Sequence, residues 1–345
     1  MNAKFKLVFT LLLFSTLVAS AAGTDFTKNF RKAWTKSSVT ALKITNKFGE
    51  VKINDTGGDS VTVKVVITID NPSGNKAKEL MDKIHIDIQK SGGLVTGETT
   101  IDEDFRNKQS FSIDYLVNIP KDRDLDITNR YGNVVIGELE ANGNFDVSYG
   151  AMSAGKMKAP AGSPIKIVVN YGKADLETVN NGNLEIKYSK LFADEIGQLV
   201  LDSKYSTVNL GKSENITLDS KYDGINIDDL GKLKSESKYT NYKIGKLTES
   251  FDLNTGYGSV KIGKVDPKFS NINIINSYGG ISIGLSGLNY KLKADCDYCD
   301  VDYPENNYKG NKTRDNHTFS LDGNVGNGGG TVTITSRYGG VKLTE

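Results

Sequence analysis

Residues 199–211 read LVLDSKYSTVNLG, and residues 216–228 read ITLDSKYDGINID, nearly the same phrase written again 17 residues later. Aligned on its central aromatic, the phrase recurs along the chain at Phe48, Tyr131, Tyr149, Tyr171, Tyr188, Tyr205, Tyr222, Tyr239, Tyr257, Tyr278, Tyr298 and Tyr338. The spacing is 17 at every step from Tyr171 to Tyr239 and 18 to 22 at most others, with two longer gaps after Phe48 and Tyr298. A fixed period of this length is the signature of a repeat architecture.

Apolar pairs stand six and four residues before the anchor, as in Leu199/Leu201, Ile216/Leu218 and Ile272/Ile274. Others stand three and five residues after it, as in Val208/Leu210, Ile225/Ile227 and Ile281/Ile283. Period-2 spacing gives one strand on each side of the anchor. The parity changes between them, which predicts a bend just after the aromatic, where Gly49, Gly132, Gly150, Gly172, Gly258, Gly279 and Gly339 fall and where glycine relieves backbone sterics. A further apolar position eight after the anchor (Leu139, Met157, Val179, Ile196, Leu230, Leu247, Val265) adds a third short side.

A 17-residue unit cannot bury its own apolar face, but stacked units can. The predicted fold is therefore all-β: a parallel β-solenoid of about 17-residue coils. An antiparallel sandwich does not need one residue type at constant spacing. The register predicts that the tyrosines stack in a column lining the inside of the bend, so that Tyr222→Ala costs about 3–5 kcal/mol, the range for a buried aromatic. The same change at Tyr338, near the chain end, should cost less.

Residues 1–21 read as a signal peptide: Lys4 and Lys6, the apolar run 7–18, then Ala19-Ser20-Ala21, with a run too short for a comfortable membrane span. No cysteine stands directly after that run, and no later segment is apolar enough to cross a membrane. The expected organisation is a cap and first coil over 22–56, a small α+β insertion over 57–124 and the repeat region over 125–345. Within the insertion, Val61–Ile69 alternates as a half-buried strand and Ala77, Leu80, Met81 and Ile84 have helical spacing. Such a cap would cover the edge that a solenoid must protect. Residues 24–40 read as a capping strand or a short basic helix.

The net charge of +1 gives no argument for a nucleic-acid partner, and two histidines make a histidine-based metal or catalytic centre improbable. No catalytic, metal or cofactor residues are assigned. Outward positions form columns: Glu185, Asp202, Asp219 and Glu236 three before the anchor, and Lys187, Lys204, Lys221 and Lys238 one before it. The lysine row is the candidate binding row for a charged polymer; the alternative is a solvated face in which adjacent acidic and basic columns offset each other's repulsion. Asp295, Asp297, Asp300 and Asp302 carry enough carboxylates to hold Ca²⁺ but match no calcium-loop pattern, and a solvated acidic edge is the other reading. Cys296 and Cys299, the only cysteines, form a candidate disulfide, since an exported chain with an even count favours one. A free pair and a redox site are the alternatives, the latter without a surrounding βαβ unit.

The phrases ITNKFGEVKI, ITNRYGNVVIGEL and LDSKYDGINI resemble the bacterial "putative adhesin" β-strand-repeat family, a domain of unknown function. The resemblance covers nearly the whole chain after the leader, including VNIPKDRDLDI at the end of the insertion. It implies an exported envelope protein, in the periplasm or at the cell surface, with stacked β coils and a non-catalytic binding, adhesion or structural role. The partner is unknown, with an extracellular polysaccharide or a surface protein as candidates. The alternative is a polysaccharide-acting enzyme on a β-helix scaffold, for which fold analogy is the only warrant.

Overall fold

The computed structural model describes residues 17–19, 25–71, 73–108 and 110–344. The leader reading lies almost wholly outside them. The chain forms two compact units that meet between Gly150 and Ala151, so the division falls inside the predicted repeat region.

In the first unit, strand Ala41–Lys47 pairs in parallel with Asp124–Arg130, which pairs with Gly143–Ser148. Strand Val51–Asn54 pairs in parallel with Val134–Leu139. Leu42 therefore lies opposite Leu125 and Ile44 opposite Ile127, although some 80 residues separate them in sequence. The insertion continues both coil sheets on their far side. Leu94–Ile101 joins Ala41–Lys47 in parallel and is followed by antiparallel Ile84–Ser91. Phe111–Asn118 joins Val51–Asn54, followed by antiparallel Ser60–Asp70 and Asp25–Thr35. Residues 25–35 are thus a strand rather than a helix. Helix Gly74–Asp82 starts where Ser73 accepts the Lys76 N–H, an N-cap that satisfies an otherwise unpaired donor. It buries Ala77, Leu80 and Met81; Ile84 already belongs to the next strand.

In the second unit, five long strands run Lys173–Lys187, Lys190–Lys204, Thr207–Lys221, Gly224–Lys238 and Asn241–Gly256. From Lys173 to Lys238 residue i lies opposite i+17, so each coil stacks on its own equivalent. A register shift at Leu230/Lys232 takes up the extra residue of the following 18-residue coil. The inward columns are closely packed aliphatics, among them Leu184, Leu201 and Leu218, and Leu191, Val208 and Ile225.

At the C-terminal end spatial order departs from sequence order. Strand Asn271–Ser277 pairs with Gly330–Arg337, which in turn pairs with Tyr290–Asp297. The last coil is inserted between the two before it. The intervening hairpin, Tyr308–Asp315 with Thr318–Val325, closes the sheet antiparallel to Tyr290–Asp297. Its outermost strand is exposed and carries Lys309, Lys312 and Arg314, charges that discourage further strand pairing. Among the described residues no helix is long and apolar enough to cross a membrane.

Candidate binding surface

Every anchor aromatic is left-handed: φ is 64° at Phe48 and lies between 51° (Tyr188) and 60° (Tyr222) at the tyrosines. The bend therefore begins at the aromatic itself and in most coils runs on through the residue after it. The left-handed residue lets two successive side chains, the anchor and the one before it, point outward before the next turns in. The tyrosines do form a column, but on the outside. Their exposure runs from 41% at Tyr338 to 52% at Tyr131, which corrects the interior placement expected from the sequence. A left-handed non-glycine costs about 1–2 kcal/mol, while an aromatic stack contributes about 0.5–1.5 kcal/mol per pair. The column thus roughly offsets the strain of its own turns.

In the first unit Phe48 stacks on Tyr131 at 5.0 Å and Tyr131 on Tyr149 at 4.9 Å, with Phe111 against the other face of Phe48 at 5.1 Å. In the second, each ring from Tyr171 to Tyr278 stacks on the next at 4.7–4.9 Å. Tyr338 then lies between Tyr278 and Tyr298, 4.9 Å from each. It is an internal member of the column, which corrects its expected place at a fraying end. His317 covers the far face of Tyr298 at 4.4 Å.

The residue after the anchor is glycine in seven coils, the disulfide-forming Cys299 in one, and Ser189, Ser206, Asp223 or Thr240 in four adjacent coils. Where it is glycine, a side chain has no room: a Cβ on Gly258 would collide with the Thr240 carbonyl, and one on Gly279 with that of Gly258. Close approach of backbones, rather than a positive φ, is why glycine stands there. In these coils the third residue after the anchor donates to the next coil, as Val260 N–H does to Gly280 O at 2.9 Å. Where the glycine is replaced, by Ser189, Ser206, Asp223 and Thr240, the pattern changes. The second residue after the anchor now donates to the previous coil: Lys190 to Gly172, Thr207 to Ser189, Gly224 to Ser206 and Asn241 to Asp223, all at 3.1 Å.

The inward side chains in these coils complete a ladder. Ser189 Oγ accepts from Gly172 N–H at 3.0 Å, Ser206 Oγ from Ser189 N–H at 3.1 Å and Asp223 Oδ1 from Ser206 N–H at 2.6 Å. Asp223 Oδ2 accepts from Ser220 Oγ at 2.6 Å and from Lys221 N–H at 3.1 Å. Asp223 is buried. Burial pushes its carboxyl above the ordinary 3.8, against the pull of the Ser220, Ser206 and Lys221 donors.

Beside this altered turn the surface sinks into an open groove of 540 Å³. Tyr188, Tyr205 and Tyr222 form one wall, Lys190, Thr207 and Gly224 the other, and buried Ser189 and Ser206 the floor. Sequence reasoning missed it. The visible signal was KYS, KYS, KYD and KYT at 187–189, 204–206, 221–223 and 238–240, where every other coil except that of Tyr298 has glycine.

The lysine row lies on the other flank of the tyrosines, with Lys187, Lys204, Lys221 and Lys238 directly opposite one another in successive coils. Lys187 is paired with Glu185, which holds its ammonium above the usual range, and Lys204 lies 3.2 Å from Asp202. Lys221 and Lys238 are exposed and, among the described residues, form no ion pair. Cys296 and Cys299 are joined, with Cα atoms 5.3 Å apart, and Cys296 occupies the inward column. Asp297 pairs with Arg337 at 3.2 Å and Asp300 with Arg314 at 2.6 Å. Among the described residues no group of acidic, histidine or cysteine side chains is gathered as a metal would need.

No family model and no curated protein matches the chain. Solved structures to which it is similar include a "putative cell adhesion protein" from Clostridium sporogenes (TM-score 0.23, 10% identity, covering 92% of this chain and 99% of that one). A "putative adhesin" from Parabacteroides merdae gives a TM-score of 0.34 at 13% identity, covering 92% and 96%. One from Parabacteroides distasonis gives 0.31 at 13% identity, covering 74% and 92%. At overlap this low, the fold rests on the strand register itself.

Proposed function

We propose that the chain is a non-catalytic, exported protein of the bacterial cell envelope whose repeated outer surface holds an extended acidic partner, a polysaccharide or another surface protein. The lysine row carries this reading. Like charges set directly opposite on adjacent strands repel. Glu185 and Asp202 relieve Lys187 and Lys204, whereas Lys221 and Lys238 stand exposed one strand apart. A polymer with repeated negative charge would supply the partners that Lys221 and Lys238 do not have. Each contact is weak, so affinity would come from many contacts made together. Exposed charges are screened beyond about 8 Å at physiological ionic strength, so binding should weaken as salt rises.

The test is the double reversal Lys221→Glu/Lys238→Glu, assayed on intact cells and on arrays of acidic and neutral glycans. The reading predicts loss of acidic-glycan or cell binding with an unchanged melting curve. If every interaction survives, the row is a solvated face and the proposal fails.

A further inference from the structure

The groove on the opposite flank of the tyrosines has a different chemistry, and we propose that it is a binding site for an elongated, planar aromatic anion lying along the column. This site is independent of the lysine row and of whatever polymer that row engages. The ring faces of Tyr188, Tyr205 and Tyr222 are turned on one another, with interplanar angles of 4°. They are closed to the face-on stacking that a sugar or base would use. The groove therefore sees ring edges. The edge is the positive end of the aromatic quadrupole, and its preferred partner is the face of another ring, with centroids about 4.5–7 Å apart.

One tyrosine edge recurs every coil, 4.9 Å from Tyr188 to Tyr205 and 4.8 Å from Tyr205 to Tyr222. A flat conjugated ligand two or three rings long would meet each in turn. Lys190 is the one charged side chain on the groove, and no carboxylate lines it among the described residues, so an anion is favoured over a cation. The floor hydroxyls are already engaged: Ser189 Oγ donates to Lys187 O at 2.6 Å and Ser206 Oγ to Lys204 O at 2.8 Å. Selection would thus rest on flatness, length and charge. Left-handed tyrosines held turn after turn are the kind of outlier from which a functional surface is properly inferred.

The probe is Congo red, a flat bis-sulphonate, titrated into the full chain by absorbance and induced circular dichroism, with cationic thioflavin T as the comparison. Congo red should bind the more tightly of the two, with weakening affinity as salt rises. Gly224→Leu places its Cβ in open space, so the fold is kept while the side chain obstructs the groove. It should weaken binding about tenfold or more. Lys190→Glu should weaken Congo red and not thioflavin T. Lys309→Glu, a matched charge reversal on the exposed strand Tyr308–Asp315 outside the groove, should leave both unchanged. Congo red affinity unaltered by Gly224→Leu, tighter thioflavin T binding, or no Congo red binding at all would each overturn the assignment.

Discussion

Replacing Tyr222 by alanine and by glycine separates the two things its position does. The ring is 48% exposed and stacked on both faces, 4.8 Å from Tyr205 and 4.7 Å from Tyr239. A tyrosine buries about 150–250 Å² when enclosed, so half burial at about 25 cal/mol per Å² amounts to about 2 kcal/mol. The two stacks add about 0.5–1.5 kcal/mol each. Tyr222→Ala should then cost about 3–5 kcal/mol, the figure for an enclosed aromatic reached by another route. Glycine tells the routes apart. Inside a regular strand, glycine is worse than alanine by about 0.5–1 kcal/mol. At φ 60°, it instead relieves about 1–2 kcal/mol of strain. Tyr222→Gly should therefore be about 0.5–1 kcal/mol less destabilising than Tyr222→Ala, the reverse of strand behaviour. In a stacked-repeat protein the appropriate assay is local: amide hydrogen exchange across residues 207–238, where each 1.4 kcal/mol is a tenfold faster rate. Glycine more damaging than alanine would refute the left-handed external turn.

The remaining expectations concern other residues. Tyr338→Ala should cost as much as Tyr222→Ala, because Tyr338 also has two stacking neighbours; an effect typical of a frayed end would contradict the inserted last coil. Gly258→Ala should be severely destabilising by backbone collision while Gly224→Ala is neutral or slightly stabilising, compared by thermal melting. For Asp223, the folded carboxyl is raised above 3.8, so its contribution is full below that value and lost as pH rises through the raised one. Urea melts from pH 3 upward should show the wild type losing ground to Asp223→Asn over that window, and a flat difference would be evidence against it. Unfolded, unreduced protein should yield no reactive thiol from Cys296 and Cys299.

The coil period and the inward aliphatic columns were legible because each follows from side-chain parity, which the sequence states directly. Parity could not say which way the tyrosine faces. That depends on φ at one residue per coil, and a left-handed residue breaks the alternation from which burial is read. Nor could it foresee that Gly330–Arg337 slips between Asn271–Ser277 and Tyr290–Asp297, since both neighbours present the same apolar register. The groove was hidden for a related reason. The change from glycine to Ser189, Ser206, Asp223 and Thr240 is plain in the sequence, but the switch in backbone pairing that accompanies it is a property of two coils together.

Peptide-mapped nitration of the native chain tests the external tyrosine column most directly, because the reagent attacks accessible phenolate. Tyr115 and Tyr242 are buried, with desolvation pushing their phenols up to about 12, and Tyr290 is fully enclosed. The account predicts modification at Tyr188, Tyr205, Tyr222, Tyr239, Tyr257 and Tyr278 under mild conditions, with Tyr115, Tyr242 and Tyr290 left intact until the protein unfolds. Protection of the column together with modification of those three would contradict it.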